Sequence, residues 1–140
     1  MKTPTAGELL HQFLVQSCAC KQEATAERYL LVHAQLHRYL EEAGHRILET
    51  QQIPYFRREQ HKDPSDAFCR SFYAEEVIYA LPGFLDPPWL NSNPTDRRIQ
   101  ISQTARLMGW LCKSGYVDRF WHSCALLEVE GAVRRARAES

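Results

Sequence analysis

The residues best suited to chemistry begin at Cys18 and Cys20, followed after twelve residues by His33 and after three more by His37. Thiolate and imidazole are the ligands of structural zinc. Cys20-x₁₂-His33-x₃-His37 has the spacing of the second half of a two-Cys, two-His finger, with Leu30 in the place of its core leucine. The first half departs from that pattern: one residue separates the cysteines instead of two to four, and Ala24 stands where a finger carries its aromatic. His33 and His37 also fall within an apolar arc with Ala26, Leu30, Leu36 and Leu40, where histidine is more often packed than metal-bound. Cys18, Cys20, His33 and His37 therefore stand as secondary metal-ligand candidates, and the expectation is a chain with no cofactor.

Covalent and acid–base chemistry find less support. Cys69, Cys112 and Cys124 lie in helical patterns with no strand–turn–helix elbow beside them, and read as small core residues. Glu41-Glu42 and Glu75-Glu76 are adjacent on helices, so each pair diverges by about 100° and cannot converge on one substrate. The six glycines are dispersed and make no phosphate cradle. No catalytic residue is assigned, and the chain reads as a non-enzyme. Two basic groups could meet phosphate: Arg57-Arg58 with Lys62, and Arg97-Arg98 with Arg106 and Lys113.

The elements that must position these residues are helical, since no run alternates β-branched residues between hairpin turns. Helices are expected from Thr5 to about Ser17, from Ala24 to Ala43, from Asp63-Pro64 to about Leu81, from Asn93-Pro94 to Gly115, and from Arg119 to about Arg137. Residues 45–64 read as a loop or insertion, and 135–140 as a frayed tail. Phe84, Leu85, Trp89 and Leu90, around Pro87-Pro88, are expected to plug the core. This gives an all-α, single-domain bundle of about five helices. At 140 residues it is large enough to bury a core without metal or disulfide.

Seventeen basic residues balance seventeen acidic ones, so any polyanion must be met by a local patch. No apolar run is long enough to span a bilayer, which argues against a membrane partner. Five scattered cysteines suit reduced thiols in a cytoplasmic protein.

Two segments together resemble the helical core-binding domain that precedes the catalytic domain in tyrosine recombinases and phage-type integrases. Residues 25–44, TAERYLLVHAQLHRYLEEAG, are similar to the family's opening helix, T-x₃-Y-x₆-F-x₂-[FWY]-L-x₃-G. Residues 93–118, NPTDRRIQISQTARLMGWLCKSGYVD, are similar to the helix ending R-x-F-x₂-W-L-x₃-G-x-[IV]. The resemblance spans about residues 5–120 and implies half of a clamp around DNA, with Arg28, Arg97, Arg98, Arg106 and Lys113 as contacts, first to phosphates. The sequence contains no His-x-x-Arg, so the family's cleavage machinery is not carried over. The expected function is that of a non-catalytic DNA-binding or recombination-accessory domain. The alternative is a protein-interaction or self-associating module using Trp89, Trp110, Phe120 and Trp121.

Overall fold

Thr5 opens the first helix with a capping box. Its hydroxyl accepts the Glu8 N–H at 3.3 Å while the Glu8 carboxylate accepts the Thr5 N–H at 3.1 Å, which satisfies two otherwise orphaned donors. In the computed structural model, which describes residues 2–139, this helix is α1 (Ala6–Cys18), and it buries Leu9 and Leu10. Next comes α2 (Glu23–Ala43), whose Val32, Leu36, Tyr39, Leu40 and Ala43 enter the same core. A 3₁₀ turn, Gly44–Ile47, reverses the chain. Gly44 is required there because a Cβ would lie 2.5 Å from the Phe68 ring.

The expected loop at 45–64 contains a helix, α3 (Ile53–Lys62). Pro54 sits in its first turn, where a missing N–H costs nothing, and Phe56 anchors it by packing on Phe68 and Phe72 with ring centres 6.0 and 5.8 Å away. The single helix expected over 63–81 is two: α4 (Ala67–Ser71) and α5 (Ala74–Phe84). Asp63 does not cap it but folds a turn onto Ser65, accepting its N–H at 3.1 Å. The break at Phe72 frees its carbonyl to accept the Ala6 N–H at 2.8 Å, tying the chain's start to its middle. Helix α5 also runs through Pro82 to Phe84, past the stop expected at Pro82-Gly83, although Pro82 has no N–H to give to the Ile78 carbonyl.

Asn93 accepts the N–H groups of Thr95 and Asp96 at 3.0 and 3.1 Å and starts α6 (Pro94–Lys113), which gives way to Gly115 at φ +82°. Asp118 holds a turn on Phe120 and Trp121 instead of capping a helix, so α7 (Ser123–Ala138) begins four residues later than expected. The tail does not fray at 135: the helix continues through buried Ala136 to Ala138, and Ser140 lies outside the described residues.

The described residues are thus all helical, with seven α-helices where about five were expected. Helices α1, α2, α5, α6 and α7 enclose the core, and α3 with α4 closes one end against α2 and α1. Phe84 and Leu85 plug the core as expected, while Trp89 and Leu90 are half-buried on its edge. The connection carrying them is held by fully buried Gln100, which donates to the carbonyls of Phe84 and Trp89, both at 3.0 Å, and accepts the Asn91 N–H at 2.9 Å. These bonds satisfy a side chain that would otherwise be costly to bury.

Candidate functional site

The four sulfur and imidazole candidates do not converge. Cys18 ends α1 with its thiol 3.8 Å from the Ala26 carbonyl, and Cys20 is exposed at φ +61°. His33 turns into a recess between α1, α2 and α6 lined by Leu10, Phe13 and Leu107. That recess measures about 20 Å³, room for no more than about one water, so it is a packing fault and not a ligand pocket. Burial, then the nearby His37 and His11, hold the His33 pKa below the ordinary imidazole value.

His37 instead faces a group that local spacing does not reveal. His37 and Glu41 lie one turn apart on α2, and α4 brings Cys69 to them so that the ligand atoms of all three are within 4.8 Å of one another. Among the described residues no other such trio of His, Cys, Asp and Glu occurs. The Glu41 carboxylate fixes the arrangement, accepting the N–H of Phe68 at 2.8 Å and of Cys69 at 3.1 Å, one on each oxygen. Burial, and then the Glu41 charge, push the Cys69 thiol pKa far up. Cys69 is the core cysteine anticipated, but Cys112 is half-buried and Cys124 exposed, since Cys124 falls off the face of α7 that buries Leu126, Val129 and Val133.

The five arginines and lysines picked out for phosphate divide into two sets. Arg28 is engaged by Asp96 at 3.1 Å. Arg97 folds inward, its Nε donating to the Asn91 carbonyl at 2.8 Å and a terminal nitrogen to that of Glu139 at 3.4 Å. Arg98, Arg106 and Lys113 are exposed and fall within about 80° of one another around α6. Ser102 lies in the same sector. Arg137, from the end of α7, lines one groove with Arg98 and Ser102. Among the described residues none of Arg98, Arg106, Lys113 and Arg137 has a carboxylate oxygen within the 4.0 Å of an ion pair.

Arg137 does not stand out as part of this set in the sequence, where it falls in the expected frayed end. The available signal was charge segregation: from position 91 onward there are eight basic and five acidic residues, against nine and twelve before it. In the second basic group, Lys62 pairs with Glu59 at 3.2 Å, leaving Arg57 and Arg58 exposed on α3.

The aromatic candidates also separate. Trp89 packs edge-on to Tyr39 beneath Arg38, and Trp110 donates its indole N–H to Gln16 at 3.0 Å. Phe120 and Trp121, on the connection between α6 and α7, are 83% and 80% exposed. Among the described residues no helix is long and apolar enough to cross a membrane. No family model, no curated protein and no solved structure matches the chain.

Proposed function

We propose that this chain is a non-catalytic DNA-binding or recombination-accessory domain that contacts phosphates through the outer face of α6. The observation that carries it is the set of unpaired cations Arg98, Arg106 and Lys113 on one exposed sector, extended by Arg137 across the groove. Guanidinium and ammonium groups free of carboxylates are available to displace counterions from a nucleic-acid backbone, whereas a paired one must first give up its partner. Arg28, paired with Asp96, and Arg97, folded onto the backbone carbonyls of Asn91 and Glu139, are left out of the proposed contacts. Such a face positions DNA without reading bases, and the recombinase resemblance supplies the partner class.

The test is fluorescence anisotropy with a labelled duplex at a series of salt concentrations. Affinity is expected to fall steeply with salt, and Arg98→Ala and Arg106→Ala should each weaken binding and lower the log–log salt slope by about one. A duplex whose anisotropy stays flat at low salt would sink the proposal.

A second reading has its own observation. The exposed pair Phe120 and Trp121 fits a protein-interaction or self-association module, since large aromatics left in water are typical anchors of interfaces. Sedimentation of the parent chain and of a Phe120→Ser, Trp121→Ser variant separates this reading. Concentration-dependent association that the variant abolishes supports it, and monomers in both count against self-association.

A further inference from the structure

We infer that His37, Glu41 and Cys69 form a binding site for one zinc-like divalent transition-metal ion, with a fourth coordination position left to water or an external ligand. The three donor atoms lie within 4.8 Å of one another, and a tetrahedral zinc with bonds of about 2.0–2.3 Å needs them about 3.3–3.7 Å apart. The site therefore requires side-chain movement of roughly 1 Å on binding, chiefly of half-buried His37. His37 and Glu41 share a face of the long helix α2, so their relative placement is fixed by helix geometry.

Glu41 also has its own support. Each of its oxygens accepts one backbone N–H from α4, which fixes the carboxylate while leaving further lone pairs for an ion. Cys69 is hemmed in from the other side, since a Cβ on Gly7 would sit only 3.2 Å from the Cys69 Cβ. Helix α1 thus packs closely on the Cys69 backbone.

The donor set selects the ion. One thiolate, one imidazole and one carboxylate suit zinc or cobalt(II), whereas magnesium and calcium require shells built from oxygen. Thiolate and carboxylate together carry two negative charges and neutralise the dication, which limits the cost of holding it beside the core. On binding, the Cys69 sulfur–hydrogen bond is replaced by a sulfur–metal bond and the proton passes to solvent. Cys69 is buried, but His37 and Glu41 are half-exposed and give an ion access from outside. Three protein ligands leave the fourth position of a tetrahedral ion to an exchangeable ligand.

Cobalt(II) titrated into reduced, chelator-stripped full chain tests this directly. The expected result is one equivalent bound, with a sulfur-to-cobalt charge-transfer band in the near ultraviolet, visible bands of a four-coordinate ion, and displacement of both by zinc. Cys69→Ser should abolish the charge-transfer band. His37→Gln, at a half-exposed position that leaves the fold intact by circular dichroism, should weaken binding by about tenfold or more. A Cys18→Ser, Cys20→Ser variant should keep the full spectrum. A parent chain without the charge-transfer band overturns the site, as does a band that survives Cys69→Ser or disappears with Cys18 and Cys20.

Discussion

Arg70 and Arg98 are both arginines on helices, and they live in opposite surroundings. Arg70, on α4, lies 3.3 Å from the Glu59 carboxylate and 3.9 Å from that of Asp63, pairs with Asp66, and donates to the Glu59 carbonyl at 3.0 Å. Arg98, on α6, faces water with no ion-pair partner among the described residues. The contrast extends to their regions. Helices α3 and α4 are ten and five residues long, too short to be stable alone, and they use charge to clip themselves together. Helix α6 has twenty residues with a buried stripe, so packing holds it and its outer cations are not needed for the fold. A formal net charge of zero hides a division between charge used internally and charge left available.

The sharpest way to break that contrast is to remove a core side chain from the clipped region. Phe68 is fully buried, with Phe56 and Phe72 around it at ring distances of 6.0 and 5.0 Å. Phe68→Ala is expected to cost about 3–5 kcal/mol, read as a lower urea midpoint. Arg98→Ala should stay within about 0.5 kcal/mol of the parent in the same assay. Equal losses in the two variants would mean that the face of α6 is structural after all.

This difference between regions also explains what could be read in advance. Helices α1, α2 and α6 announce themselves through local signals: the Thr5 to Glu8 box, Asn93-Pro94, Gly115 and unbroken periodicity. Helix α3 reads as a loop in the sequence because its anchor, Phe56, gains meaning only from Phe68 and Phe72, twelve and sixteen residues away. The break between α4 and α5 depends on Ala6, still more distant in sequence. The same limit governs the sites. Arg98, Arg106 and Lys113 fall together on any helical wheel, but the engagement of Arg28 by Asp96, 68 residues away, leaves no local mark. The neighbour of His37 is hidden for the same reason: Cys69 lies beside it because α4, bonded to Glu41, packs on α2.

His33 represents a third treatment of charge, in which a titratable group is packed and kept neutral. Its pKa is depressed in the folded chain, so on acidification the unfolded chain binds a proton first. The stability that neutral His33 contributes is fully present above the unfolded value of about 6.5 and is lost as pH falls through the lower folded value. Urea midpoints are expected to drop between pH 7 and pH 5, and His33→Gln should flatten part of that drop. Asp63, whose pKa is lowered chiefly by hydrogen bonds from Ser65, and Glu59, lowered chiefly by Lys62, act at lower pH, since their contributions persist above the ordinary carboxylate range. A His33→Gln profile parallel to that of the parent would show that His33 protonation does not weaken the fold.

The finest test compares a paired cation with an unpaired one. Arg28 and Asp96 meet at 3.1 Å with side chains 46% and 48% exposed, so water screens them and their coupling in a double-mutant cycle should be only about 0.2–1 kcal/mol. One molar salt should erase it, because the screening length there is about 3 Å. The pairing matters more for binding than for folding. If Asp96 already serves as the counterion of Arg28, no condensed cation is released from DNA on its account, and Arg28→Ala should lower the salt slope by much less than the decrement of about one expected for Arg98→Ala. Equal decrements would mean that Arg28 leaves Asp96 when DNA arrives, and that pairing in the free protein does not decide which cations meet phosphate.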